Sequence, residues 1–155
     1  MKTCIISPYS RPTVQDSKPS PKNYPYWEAL VAELKKMKVS CIQVGLEGEP
    51  QIKGVSSFIK DLNFPSLIAL LGEADFWISG DNFFQHFAHY YKKRGLVIFA
   101  LSDPLIFGWA ENVNLLKDRK YLRQGQFDFW YSTLYNDEAF VDAKTVIKAV
   151  KKNFL

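Results

Sequence analysis

The residues best suited to chemistry follow two buried apolar segments in the middle of the chain. Asp81 and Asn82 come after FWISG, and Ser102 and Asp103 come after LVIFAL. If both segments are parallel strands joined by a helix, these polar turns meet at one edge of a sheet, where ligands bind in open α/β proteins. Asp81 and Asn82 also stand at a helix start, which suits phosphate, although Asp81 could serve only as the N-cap. The spacing predicts a binding crevice, with a nucleotide as the first candidate ligand.

Four other charged or titratable residues are candidates for ligand chemistry. Lys22 precedes a helix start, where it could bind phosphate or be an ordinary solvated lysine. His86 falls in the first turns of the helix after Asn82 and is the only candidate for a general base, although a lone helical His is commonly structural. Glu47 and Glu49 follow the second strand, where an acidic residue can bind ribose hydroxyls or simply lie in a solvated turn.

Other signals for cofactors or metals are absent from the sequence. The chain has no Gly-rich dinucleotide fingerprint, no P-loop and no GxSxG motif. His86 and His89 have no companion carboxylate or Cys at a metal-binding spacing, so no metal site is predicted. We therefore expect no bound cofactor, and the only small molecule considered is a nucleotide or nucleotide sugar as ligand or substrate.

Length and composition are typical of one soluble globular domain covering residues 1–155. Hydrophobic residues make up 47% and charged residues 23%, and the formal net charge is +4. Many lysines fall at helix ends or on solvated faces, and no RNA- or DNA-binding signature is present, so nucleic acid is not an expected partner. Cys4 and Cys41 lie in apolar segments, which indicates unpaired thiols and a cytoplasmic location. No apolar run reaches the roughly 20 residues that span a membrane.

The elements that must position these residues alternate between strand and helix. The predicted strands are Thr3–Ser7, Val39–Val44, Phe76–Ser79, Leu96–Leu101 and Val113–Leu116. Helices are predicted from Pro25 to about Met37, from Pro65 to about Gly72, after Asp81, and over Ala143–Lys152. The strands are continuously apolar, which favours a parallel sheet covered on both faces. The prediction is a single α/β domain with a doubly wound, Rossmann-like sheet.

Three segments fall outside that simple alternation. Residues 8–25 form a long loop rich in Pro, Ser and Lys, and loops of this length at strand ends are usually functional. Residues 51–64 have no clear pattern beyond a short edge strand or turn. Residues 117–140 mix charged and aromatic residues and are predicted to wrap the surface.

Several short motifs together resemble the C-terminal, donor-binding half of glycosyltransferase family nine, the heptosyltransferase-like enzymes with the GT-B fold. Ile5 to Pro8 resembles the strand and turn that open that half, and Lys22 to Pro25 is similar to its Lys-Arg-Trp-Pro. Ile42 to Glu49 looks like its strand, glycine and acidic turn. The stretch from Leu67 to Asp81 resembles its leucine helix and following strand, and Ser102 to Pro104 is similar to its Thr-Asp-Pro.

The resemblance implies a set of ligand-binding residues and a type of reaction. It implies that Ser7, Lys22, Glu47, Asp81, Asn82, His86, Ser102 and Asp103 surround a nucleoside diphosphate sugar. Lys22 would offset the charge of the leaving phosphates, and His86 would be the other catalytic residue. Asn82-Phe83 departs from the family, which has a small residue and Gly there. The chain is also too short to contain the family's acceptor-binding domain.

Three functions are compatible with these residues. The first is a glycosyltransferase that works with a partner chain or as a homodimer. The second is a non-catalytic module that binds a nucleotide, a sugar or another protein. The third is a nucleoside- or nucleotide-processing enzyme with Glu47, Glu49 or Asp103 as a carboxylate nucleophile. The first and third of these functions make the chain an enzyme and the second does not, so the sequence leaves that question open.

Overall fold

A computed structural model of the chain describes residues 1–12, 18–130 and 133–155. Six strands form one parallel sheet in the order β3-β2-β1-β4-β5-β6. They are β1 (Lys2–Ser7), β2 (Val39–Gly45), β3 (Ser57–Lys60), β4 (Phe76–Gly80), β5 (Leu96–Ile98) and β6 (Val113–Leu115). The predicted doubly wound α/β fold is confirmed.

Helices cover both faces of this sheet. They are α1 (Trp27–Lys36), α2 (Phe64–Glu73), α3 (Phe83–Tyr90), α4 (Pro104–Phe107) and α5 (Ala143–Asn153), with short 3₁₀ helices at Arg119–Tyr121 and Asp137–Ala139. The apolar residues of α1 and α5 pack with Cys4 and Ile6 of β1 in one core cluster. Ile5 points to the opposite face, where the apolar residues of α2 and α3 form the second cluster. This alternation follows from the two-residue period of a strand.

The predicted elements differ from the observed ones mainly at the sheet edges. The unreadable segment 51–64 contains the edge strand β3, whose side chains are mostly half-buried and so lack a strong apolar pattern. The strand predicted over Leu96–Leu101 ends at Ile98, because its outer partner β6 has only three residues and pairs no further. Residues 13–17 of the loop 8–25 and residues 131–132 of the segment 117–140 lie outside the described residues.

The chain changes direction across the sheet between β1 and β4. Strands β2 and β3 lie on one side of β1, and β4, β5 and β6 lie on the other. In this strand order, the crevice at the carboxyl ends of the two central strands is the usual place for a ligand. Asp81 follows β4, and Ser102, beyond β5, donates a hydrogen bond to its carboxylate at 2.6 Å, so the two predicted polar turns do meet at that edge.

The cysteines lie deep in the core. Cys4 and Cys41 are paired in register on β1 and β2, and both are buried free thiols. Burial raises the pKa of both, that of Cys41 to about 12, so neither thiol is a reactive thiolate near neutral pH. Within the described ranges, no helix combines the length and the apolar character that crossing a membrane requires.

Candidate functional site

Asp81 is the buried centre of a small polar network at the crevice. Its Oδ1 accepts a hydrogen bond from Gln85 Nε2 at 2.8 Å, and its Oδ2 accepts one from Ser102 Oγ at 2.6 Å. Lys22 Nζ lies 3.4 Å from Oδ2. These three partners satisfy the carboxylate internally, as burial of a charge requires. Asp81 therefore fixes the position of Lys22. It is not the N-cap of α3, because that role belongs to the next residue, Asn82.

Asn82 clamps the loop after β1 onto the start of α3. Its Oδ1 accepts a hydrogen bond from Phe84 N at 2.9 Å, which makes it the N-cap of α3. Its Nδ2 donates to the carbonyl oxygens of Ser7, at 2.9 Å, and Tyr9, at 3.2 Å. The buried side chain thus links the backbone after β1 to the first turn of α3, which follows β4.

The described part of the loop 8–25 is tied to the same junction. Ser10 Oγ donates to the carbonyl of Asp81 at 3.1 Å, and Ser10 N donates to Asn23 Oδ1 at 2.9 Å. These bonds hold Lys22 and its neighbours above the end of β4. Lys22 Nζ also lies 5.2 Å from the centre of the Trp130 ring, so its ammonium group is held between a carboxylate and an aromatic face.

Two cavities open beside Lys22. The first cavity, of about 530 Å³, lies at the ends of β1 and β2 and the starts of α2 and α3. Its walls are largely apolar, and its charged and polar lining residues include Ser7, Ser10, Arg11, Lys22, Glu49 and Asn82. The second cavity, of about 520 Å³, lies between the loop 8–25 and residues 123–130. Ser10, Arg11 and Lys22 line both cavities.

The two acidic residues after β2 have different surroundings. Glu49 is half-buried in the first cavity, where its Oε2 accepts a hydrogen bond from Leu46 N at 3.0 Å. Burial raises the pKa of Glu49. Gly45 makes this approach possible, because a Cβ there would lie 2.0 Å from Oε2. Glu47, the residue named for ligand binding, does not line the cavity; its exposed carboxylate pairs with Lys60 at 3.1 Å.

His86 is held from one side by Trp109. Trp109 Nε1 donates to His86 Nδ1 at 3.0 Å, and an indole nitrogen can only donate. Nδ1 is therefore unprotonated, and the neutral ring carries its proton on Nε2. Burial lowers the pKa of His86, which favours this neutral form. The ring lines neither cavity and, with Nδ1 occupied, offers a hydrogen-bond donor rather than a free base.

Trp109 is supported in turn by His89 and Glu111. The His89 ring stacks on Trp109 with centroids 3.5 Å apart, and His89 Nδ1 bonds the carboxylate of Glu111. The hydrogen bond from His89 lowers the pKa of Glu111. Each of the two histidines therefore has its own hydrogen-bond partner, Trp109 for His86 and Glu111 for His89. Among the described residues, no group of three or more His, Cys, Asp or Glu side chains is arranged to hold a metal ion.

Ser102 and Asp103 lie at the end of the β5 segment but have different partners. Ser102 bonds Asp81 directly, whereas Asp103 caps α4 through Leu105 N at 3.0 Å. Arg119 forms a bidentate pair with Asp103, with Nη1–Oδ1 at 3.0 Å and Nη2–Oδ2 at 2.6 Å. The Arg119 hydrogen bonds lower the pKa of Asp103. Neither side chain lines either cavity, so Asp103 is committed to anchoring the 3₁₀ helix.

Phe83, the departure from the family pattern, is the first residue of α3 and lines the first cavity. Its ring lies 6.1 Å from that of Phe64, which lines the same cavity. Both rings are more than half exposed. The cavity thus has two aromatic rings on its wall, and one of them, Phe83, stands at the position where the resemblance implies a glycine.

Sequence reasoning missed four residues that shape the site. Gln85 donates to Asp81, and Trp109 donates to His86. Arg119 pairs with Asp103, and Arg11 lines both cavities. Only Gln85 had a usable signal, because it stands four residues after Asp81 and so one helical turn away. The other contacts join segments that are far apart in the sequence.

Solved structures with the same fold include bacterial heptosyltransferases. E. coli heptosyltransferase WaaC with ADP matches at a TM-score of 0.64 and 14% identity, over 98% of this chain and 44% of that chain. TibC, a dodecameric iron-containing glycosyltransferase from enterotoxigenic E. coli H10407, matches at a TM-score of 0.74 and 16% identity, over 97% of this chain and 46% of that chain. E. coli ADP-heptose lps heptosyltransferase II matches at a TM-score of 0.68 and 9% identity, over 97% of this chain and 46% of that chain.

These matches confirm that the chain resembles heptosyltransferases and has the fold of one half of such an enzyme. The chain spans less than half the length of each of these neighbours. No protein-family model and no curated protein sequence matches it. At identities below 20% the likeness is one of fold, and the assignment to the C-terminal half stays a prediction.

Proposed function

We propose that the chain binds a nucleoside diphosphate sugar, with its diphosphate beside Lys22. The observation that carries this proposal is the position of Lys22, which lines both cavities at the carboxyl ends of the central strands. Arg11 lines both cavities too, so two cations stand where the negative charge of a diphosphate would be greatest. The fold supports the same reading, because it is shared with WaaC, described with ADP, and TibC, described with ADP-D-β-D-heptose.

The first cavity suits the nucleoside. Its volume of about 530 Å³ and apolar walls are typical of a pocket for a small organic ligand. Phe64 and Phe83 offer faces on which a base can stack, a contact that every base can make. Glu49 is placed to accept hydrogen bonds from ribose hydroxyls. Ser7 and Asn82 line the same cavity, but the amide nitrogen of Asn82 already donates to the carbonyl oxygens of Ser7 and Tyr9.

Calorimetry with ADP, UDP and GDP tests donor binding. We expect one of them to bind, and Lys22→Ala to weaken that binding by about tenfold to a hundredfold, since a hydrogen bond to a charged group contributes about 1.5–3 kcal/mol. Lys36→Ala is the matched control, because Lys36 pairs with Glu33 on α1 and should leave binding unchanged. Absence of binding by the wild-type protein at millimolar nucleotide would refute the proposal.

A non-catalytic binding module is the second candidate, and one observation favours it. His86 has its Nδ1 occupied by Trp109, so it is poorly prepared to act as a base. An assay for sugar transfer or donor hydrolysis by the purified chain separates the two functions. Turnover that Lys22→Ala abolishes would exclude the non-catalytic module.

A further inference from the structure

Half of the lining of the second cavity comes from a segment that carries none of the motifs of the family resemblance. Residues 123–130 supply six of the twelve lining residues, and the others are Phe107 and five residues from the described part of the loop 8–25. It meets the first cavity at Ser10, Arg11 and Lys22. A nucleoside diphosphate sugar is a linear ligand, with its diphosphate between nucleoside and sugar. If the diphosphate lies at the shared cations and the nucleoside in the first cavity, the sugar extends toward the second.

The cavity wall is anchored firmly to the end of the β5 segment. Arg123 N donates to Leu101 O at 3.0 Å, and Gln126 Nε2 donates to the same carbonyl at 3.0 Å. Asp103 N donates to Gln126 Oε1 at 2.7 Å. Arg123 also lies over the Trp130 ring, 3.6 Å from its centre. The segment is therefore a fixed surface beside the crevice.

The chemistry of this wall favours a neutral polyol over a second phosphate. The Arg123 guanidinium already donates through Nη2 to the carbonyls of Gln126, at 2.9 Å, and Asp128, at 2.8 Å. The exposed Asp128 carboxylate would repel a phosphate but can accept hydrogen bonds from hydroxyl groups. Phe127 is 82% exposed, and its ring is supported edge-on by Phe107 at 5.6 Å. An exposed ring of this kind can pack against the C–H face of a sugar.

We propose that the second cavity binds the glycosyl group of the donor, with Phe127 beneath the sugar ring and Asp128 accepting from its hydroxyls. This inference rests on the proposed donor binding. It assigns a specificity role to a segment outside the residues named from the sequence.

The test compares nucleoside diphosphates with their sugars by calorimetry. The probes are ADP and UDP beside ADP-heptose, ADP-glucose and UDP-glucose. At least one sugar should bind more tightly than its parent diphosphate. We expect Phe127→Ala to lower the affinity for that sugar by about fivefold to tenfold, as for loss of an aromatic contact, and to leave the parent diphosphate unaffected. Asp128→Ala should have the same selective effect.

Two control variants show whether the effect belongs to the second cavity. Phe64→Ala, in the first cavity, should weaken the diphosphate and its sugar equally. Tyr90→Ala should change neither affinity, because Tyr90 is an exposed residue at the far end of α3. Thermal melting of each variant confirms that it is folded, and Phe127 is too exposed for its removal to cost much stability.

The possible failures are distinguishable. If no diphosphate and no sugar binds the wild-type protein, the proposed function fails and the inference fails with it. If a diphosphate binds but no attached sugar adds affinity, only the inference is wrong. It is equally wrong if Phe127→Ala changes the affinities for diphosphate and sugar by the same factor.

Discussion

Replacing Asn82 by alanine should cost the protein about 3 kcal/mol of unfolding free energy. The substitution removes the N-cap of α3, which typically contributes about 1 kcal/mol. It also removes the donor to two carbonyl groups, those of Ser7 and Tyr9, and each hydrogen bond contributes about 1 kcal/mol. For a chain of this size the melting temperature should fall by about 6–12 °C.

A serine at the same position separates the two contributions. Asn82→Ser keeps an oxygen that can cap α3 but cannot reach the carbonyls on the other side of the junction, so it should lose about 2 kcal/mol. Urea unfolding followed by circular dichroism gives both values, with the slope of the transition as a check on two-state behaviour. A loss below about 1 kcal/mol for Asn82→Ala, or wild-type stability for Asn82→Ser, would refute the clamp.

Two further predictions concern carboxylates near the crevice. Hydrogen bonds from Arg119 lower the pKa of Asp103 below its ordinary value of 3.8. The ionised pair therefore stabilises the fold fully above pH 3.8, and this stabilisation is lost as the pH falls through the lowered pKa of the folded protein. Asp103→Asn, which can still cap α4, should therefore flatten the loss of stability in acid-unfolding curves, and an unchanged curve would contradict the pair. Glu49→Gln should weaken ADP and reduce any preference for ADP over 2′-deoxy-ADP in calorimetry, and an undiminished preference would exclude Glu49 as the ribose contact.

The sequence was a good guide to the fold because the core strands are continuously apolar. Residues 76–80 are all buried, so their strand could be recognised without knowing the neighbours. β3 was harder, since an edge strand with half-buried side chains has little apolar periodicity. The early end of β5 at Ile98 was also hidden, because burial continues through Leu101 while strand pairing stops with β6.

The sequence was a poorer guide to the roles of individual site residues. Asp81, Asn82 and Ser102 do meet at the crevice, but they largely satisfy one another and their neighbours. Glu47 and Asp103 are paired with basic residues away from both cavities. A polar residue at a strand end is a candidate for ligand binding, but its partners decide whether it is free to bind one.

By itself, then, the sequence determined the alternation of strands and helices and the edge of the sheet at which the polar turns gather. Both are consequences of local pattern, because apolar runs and turn residues act within a few positions of one another. The tertiary structure decided which side chains meet. Lys22 reaches Asp81, Trp109 reaches His86, and residues 123–130 form the wall of a second cavity. Those contacts depend on how distant segments pack over the sheet, a property that no local pattern encodes.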